Sequence, residues 1–118
     1  MYVIGDIGNT DVKICLISKN EKIIKKIILK TNLIDQRYLK KKLSPFNKRN
    51  IVINNIIFSS VVPKVYNLIY SYFSKSLKIK CIEVKKLNLS KLIEIKVNRK
   101  QIGSDRLCNA ICVNDNKN

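Results

Sequence analysis

The sequence has no histidine and no tryptophan, and only 2 prolines, 3 glycines and 8 acidic side chains among its 118 residues. Without histidine, the four cysteines, Cys15, Cys81, Cys108 and Cys112, lack the imidazole partners of a mixed zinc site. Cys108 and Cys112 lie one helical turn apart, a spacing able to share a metal, but no second closely spaced pair accompanies them. They read as reduced core cysteines. No secretory leader is expected, because the N-terminal apolar run is cut at Gly5-Asp6 before it reaches signal-peptide length. The expected location is cytoplasmic. Long apolar runs are absent, since Lys or Asn breaks every Ile-rich segment short of bilayer-spanning length. No membrane partner is expected.

The shortage of acid leaves a formal charge of +16, which raises nucleic acid as a partner. The lysines, however, are scattered through "EKIIKKIILK", "YLKKKL" and "KSLKIKCIEVKK", with little Arg and no Gly-rich aromatic motif of the kind an RNA-binding sheet carries. Ile, Lys and Asn dominate the composition, as an AT-rich genome would write them at tolerant positions. Part of the charge is assigned to that bias, and a nucleic-acid role is disfavoured. There is no low-complexity linker and no internal repeat, and 46% hydrophobic content suffices for a real core in a chain of one-domain size.

What is present is an ordered series of elements. Tyr2 to Gly5, Val12 to Ser18 and Glu21 to Asn32 read as three consecutive strands, hence an antiparallel meander. A helix is expected from Ile34 to Leu43, with Pro45 as its stop. Ile56 to Ser59 reads as an apolar strand, and Val65, Leu68, Ile69, Tyr72 and Phe73 trace one face of a helix beginning near Pro63. Lys78 to Asn88 reads as a further β run, "SKLIEIKVNRKQI" as an irregular or extended approach, and "GSDRLCNAICV" as a helix start with Ser104 as N-cap. The order βββαβαβ followed by a helix makes an α/β architecture with a mixed sheet.

Three constellations carry chemistry. In "DIGNT", Asp6 to Thr10, a hairpin holds more polar groups than a tight turn requires. Gly8 lets the backbone approach a ligand, successive N–H groups and the Thr10 hydroxyl can cradle phosphate oxygens, and Asp6 stands where Mg²⁺ or its water could be held. "SSVVP", Ser59 to Pro63, runs a strand directly into a helix through two hydroxyl residues. In "GSDR", Gly103 to Arg106, a carboxylate able to take a proton from an alcohol sits beside a guanidinium able to hold a carboxylate or phosphate. Each has a bland reading: a decorated hairpin, a helix start, and a capped helix with a solvated arginine.

Together and in order, "DIGNT", "SSVVP" and "GSDRLCNA" resemble the signature blocks of type III pantothenate kinases, of the acetate and sugar kinase/Hsp70/actin superfamily. The resemblance implies a ribonuclease H-like, actin-like ATPase domain. It also implies ATP-dependent phosphorylation of pantothenate to 4′-phosphopantothenate, the first step of coenzyme A synthesis. ATP, Mg²⁺ and a monovalent cation, K⁺ or NH₄⁺, are the implied cofactors, and a homodimer with the site near the subunit interface is the implied assembly. Carried over, Asp6, Ile7, Gly8, Asn9, Thr10, Asp11, Val12 and Lys13 form the ATP phosphate-binding segment, with Asp6 serving the metal. Gly103, Ser104, Asp105 and Arg106 bind pantothenate, and Asp105 accepts the proton of the substrate hydroxyl.

The sequence departs from the family pattern in three respects. Ser104 stands where a small apolar residue is usual, and "KVNRKQIG" replaces the usual Asn-Pro approach to the third block, which puts a substrate contact near Lys96 to Asn98 in doubt. The family fold is two similar halves about a cleft, roughly twice this length. Residues 1–118 therefore read as a single N-terminal actin-like ATPase domain lacking the C-terminal one, with no useful turnover expected of it alone. Two alternatives stay open: a non-catalytic relative acting as a transcriptional accessory factor, and a basic nucleic-acid-binding domain. Retention of Asp6, Asp105 and Arg106 favours the enzyme.

Overall fold

The computed structural model describes residues 1–20, 22–48 and 50–96, with side chains described as far as residue 91. Among the described residues, five strands and three α-helices follow one another as β1 (Tyr2–Ile7), β2 (Asp11–Ile17), β3 (Ile23–Lys30), α1 (Gln36–Leu43), β4 (Asn55–Ser60), α2 (Pro63–Ser76), β5 (Cys81–Glu83) and α3 (Lys86–Lys96). The sheet order is β3-β2-β1-β4-β5. The first three strands form the expected antiparallel meander, while β4 lies parallel to β1 and β5 parallel to β4. The mixed sheet arises because β1, β2 and β3 are joined by short turns, whereas β1 to β4 and β4 to β5 need helical crossovers.

Alternation decides which face each strand residue serves. Val3 and Ile7 of β1, Val12, Ile14 and Leu16 of β2, and Ile56 and Phe58 of β4 bury against Leu39 and Leu43 of α1 and Val65, Ile69, Tyr72 and Phe73 of α2. The intervening residues Ile4, Cys15 and Ile17 form a second cluster with Leu89 of α3 on the opposite face. Gly5 is the exception that allows one packing contact. A Cβ there would lie 2.0 Å from the ring of Phe58, its register partner on β4, so the ring fits only over a residue without a side chain. Phe58 in turn meets Phe73 of α2 with ring centroids 6.3 Å apart, a tilted aromatic pair.

Helix starts follow local chemistry. Asp35 caps α1 by accepting a 2.7 Å hydrogen bond from the Tyr38 N–H, one of the donors that a helix N-terminus leaves unpaired. Pro63 opens α2, where its missing N–H costs nothing. Pro45 does not stop the chain's winding after α1 but sits inside a 3-10 turn, Ser44–Asn47, that buries Phe46.

The region after α2 differs from the sequence expectation. Only Cys81–Glu83 of the Lys78 to Asn88 run is strand, and the helix Lys86–Lys96 takes in the end of that run and the start of the segment expected to be irregular or extended. The strand is short because only Ile56, Ile57 and Phe58 of β4 offer it partners. The helix is set by docking: Leu89 is fully buried against the sheet while Leu87 is 75% exposed. Ser104, Cys108, Asn109 and Cys112, with the helix expected around them, lie outside the described residues.

Candidate functional site

The β1–β2 hairpin brings two charges of opposite sign onto the α3 face of the sheet. Asp6 and Lys13 are register partners across the hairpin, and Ser59 of β4 flanks Asp6 on its other side. All three are buried. Ile7 and Val12 are fully buried in the opposite, α1/α2 core, so only their backbones are available to a ligand. Asn9 and Thr10 are exposed at the tip, with Gly8 and Asp11 half-buried beside them.

The tip is held from two sides. The Gly8 N–H donates to the Asp11 carbonyl at 2.9 Å, and a Cβ on Gly8 would sit only 3.2 Å from that same oxygen. Among the described residues only Lys78 has positive φ, so Gly8 serves this close approach and not a left-handed turn. Across the sheet edge, Thr31 donates its hydroxyl to the Gly8 carbonyl at 2.8 Å and its N–H to the Thr10 carbonyl at 3.0 Å. Thr31 stands in the 3-10 turn that follows β3, and this double contact fixes both ends of the Gly8 to Thr10 segment.

Asp6 is the unusual group. Its carboxylate is 5% exposed, and its Oδ1 is buried with no hydrogen-bond partner, which ordinarily costs a folded chain stability. An ion pair partly compensates: the Lys86 Nζ, at the first residue of α3, lies 3.6 Å from Asp6 Oδ1. Burial raises the Asp6 pKa above its ordinary value, and the charges of Lys86 and then Lys13 pull against that rise without cancelling it. Burial likewise lowers the pKa of Lys13, with Asp6 and Asp11 opposing.

Ser59 and Ser60 continue the same region. Ser60 Oγ accepts from the Val62 N–H at 3.0 Å, and the Val61 N–H donates to the Ile7 carbonyl at 3.0 Å, so the end of β4 stays tied to the end of β1. Val62, not a serine, occupies the N-cap position of α2. Beside these residues an open cleft of about 410 Å³ runs between Ser59, Ser60 and Val61 on one side and Glu83, Val84, Lys85 and Lys86 on the other. Lys86 thus borders both the cleft and the Asp6 carboxylate.

Of the residues singled out from the sequence, the hairpin set Asp6 to Lys13 comes together with Ser59 and Ser60, while Gly103, Ser104, Asp105 and Arg106 lie outside the described residues. The same holds for the side chains near Lys96 to Asn98. Thr31 and Lys86 were not visible in the sequence. Thr31 falls at a strand end where a hydroxyl is unremarkable, and Lys86 is one of 24 basic residues. A family model for type III pantothenate kinase matches residues 2–118, nearly the whole chain.

The chain belongs to the type III pantothenate kinase family.

It is 55% identical over 117 residues to a type III pantothenate kinase of Pelagibacter ubique (strain HTCC1062), a match covering 99% of this chain and 47% of that protein. The chain therefore spans about half the length of that relative. Among solved structures it resembles a ROK family glucokinase from Streptomyces griseus, with a TM-score of 0.58 at 8% identity over 86% of this chain and 38% of that one. At that identity the likeness concerns the fold alone, and it agrees with the actin-like ATPase architecture that the family motifs imply. No helix among the described residues is long and apolar enough to cross a membrane.

Proposed function

We propose that the protein phosphorylates pantothenate at the expense of ATP, and that this chain supplies the β-hairpin which holds the nucleotide's phosphates and the Gly103 to Arg106 block which holds pantothenate. The observation that carries the reading is the buried Asp6 carboxylate, whose Oδ1 has no hydrogen-bond partner, set on a hairpin belonging to a kinase family. A buried acceptor of this kind suits a hydrated cation. Among the described residues no group of three or more His, Cys, Asp or Glu side chains comes together. Asp6 therefore suits Mg²⁺, which typically takes one or two carboxylates and completes its shell with phosphate oxygens and water. When bound, the ion would draw negative charge from the phosphoryl group being transferred.

The chain's own residues then do the positioning. With the Gly8 N–H committed to the Asp11 carbonyl and the segment pinned by Thr31, the N–H groups of Asn9 and Thr10 and the Thr10 hydroxyl serve the phosphates, and Lys13 adds positive charge beneath them. Arg106 holds pantothenate, and Asp105 takes the proton of its primary hydroxyl as that oxygen bonds to the γ-phosphorus and the bond to the β–γ bridging oxygen breaks. ADP leaves. A monovalent cation, K⁺ or NH₄⁺, a homodimer and a cytoplasmic location belong to the same reading, and no useful turnover is assigned to residues 1–118 alone.

The test is phosphopantothenate formation from ATP and pantothenate in a chain completed to the length of its relatives. Asp105→Asn should abolish turnover while leaving ATP affinity within about twofold, and Asp6→Asn should lower turnover in a way that added Mg²⁺ does not restore. Undiminished turnover in Asp105→Asn, or an acceptor other than pantothenate, would overturn the assignment.

A further inference from the structure

We propose that Lys86 is the resident counter-ion of the Asp6 site, one that competes with a bare divalent cation for the carboxylate and attracts the nucleotide's phosphates. The inference rests on reading Asp6 as the carboxylate that faces the metal. Lys86 Nζ lies 3.6 Å from Asp6 Oδ1, close enough for ionic attraction and beyond ordinary hydrogen-bond length. The two ends of this pair are unequal. The Asp6 side chain is 5% exposed and that of Lys86 is 26% exposed, so the ammonium keeps access to water while the carboxylate does not. Lysine, a point charge on a four-carbon stem, can leave such a contact at low cost.

Without the Lys86 charge, Asp6 would be a buried anion facing Lys13 alone across the hairpin. With it, the carboxylate faces two cations, and a bare Mg²⁺ arriving there meets both. A nucleotide carries several negative charges with its metal, so two lysines that repel the ion attract the complex. Lys86 also lines the cleft between β4 and α3, with Ser59 and Ser60 on the opposite wall. An ammonium displaced from Asp6 therefore stays at the edge of the phosphate site. This arrangement selects the metal–nucleotide complex over the free metal, which a metal-binding carboxylate alone cannot do.

The test uses the full chain and two binding measurements that need no turnover. Mn²⁺ affinity without nucleotide is read from the electron paramagnetic resonance signal of free Mn²⁺, and ATP affinity is read by calorimetry in EDTA. Lys86→Met should tighten Mn²⁺ and weaken metal-free ATP, each by about tenfold, the scale of one unit charge a few ångströms away in a partly solvated site. Lys85→Met, the adjacent lysine on the same cleft wall, should shift neither by more than about twofold. Opposite shifts are what a merely structural lysine would not give. A parallel loss of both affinities in Lys86→Met, or no change in either, overturns the proposal. Asp6→Asn separates the two failures. If it abolishes Mn²⁺ binding while Lys86→Met changes nothing, the Asp6 reading stands and the Lys86 role falls; if Mn²⁺ binding survives it, the Asp6 reading falls and takes the proposal with it.

Discussion

Thr31 donates its hydroxyl to the carbonyl oxygen of Gly8 at 2.8 Å, across 23 residues of chain, and so joins the turn after the edge strand to the tip of the β1–β2 hairpin. The bond holds one carbonyl of the tip from behind. Thr31→Val keeps the shape and removes the donor. It should destabilise the chain by about 1–2 kcal/mol, the usual cost of orphaning one partly buried acceptor. Hydrogen exchange at Gly8 to Thr10 should quicken, and Thr31→Ser should restore protection. Unchanged exchange in the valine variant would remove Thr31 from any role in shaping the loop.

Gly5 and Phe58 make the second coupled pair. Because a Cβ on Gly5 would penetrate the Phe58 ring, Gly5→Ala must push that ring off its place between the sheet and α2. Overpacking of this kind costs about 1–3 kcal/mol. Thermal unfolding should show the loss, and adding Phe58→Leu to Gly5→Ala should recover part of it. Strict additivity of the two changes would contradict the contact.

Asp6→Asn should stabilise the nucleotide-free chain at neutral pH. Burial raises the folded pKa of Asp6 above its ordinary 3.8, so below 3.8 the group is protonated in both states and costs nothing. The cost grows as pH rises from 3.8 through the raised folded value and is complete above it. The gain in Tm from Asp6→Asn should therefore be larger at pH 7 than near pH 4. An equal gain at both would mean that the charge is not the cause.

Cys15 and Cys81 have pKa values pushed up to about 12 by burial, from an ordinary value of 9.0. Both thiols should resist alkylation at pH 8 in the folded chain and react in urea, which mass spectrometry of labelled peptides resolves. The sign for stability follows from the same shift. Below pH 9 the thiols are protonated in both states and the shift costs nothing; as pH rises from 9 toward about 12 the unfolded thiols ionise while the folded ones do not, and the fold loses stability. Cys15→Ala together with Cys81→Ala should flatten the alkaline fall in Tm.

Much of the fold was legible in the sequence. Alternation in "VIGDI" and "VKICLI" gave β1 and β2, and the 3.6-residue spacing of Val65, Ile69, Tyr72 and Phe73 gave α2, because these elements bury one regular face. In "KLNLSKLIEIK" the same rule misleads. Leu87 and Leu89 are two apart, as on a strand, yet residues two apart on a helix point nearly opposite ways. One leucine faces solvent and the other the core. No local signal announces which, since the helix is fixed by the sheet face formed by Ile4, Cys15 and Ile17.

The sequence by itself determined the family, the strand and helix order as far as α2, and the hairpin residues Asp6 to Lys13, because short motifs and local periodicity are written in consecutive residues. Only the tertiary structure decided that Asp6 is buried against Lys86, that Thr31 holds the loop, and that Gly5 is fixed by Phe58. Those pairs lie 23 to 80 residues apart in the chain. Their contacts exist because strands remote in sequence become neighbours in the sheet, and burial there sets the cost of a charge, a hydroxyl or a missing side chain.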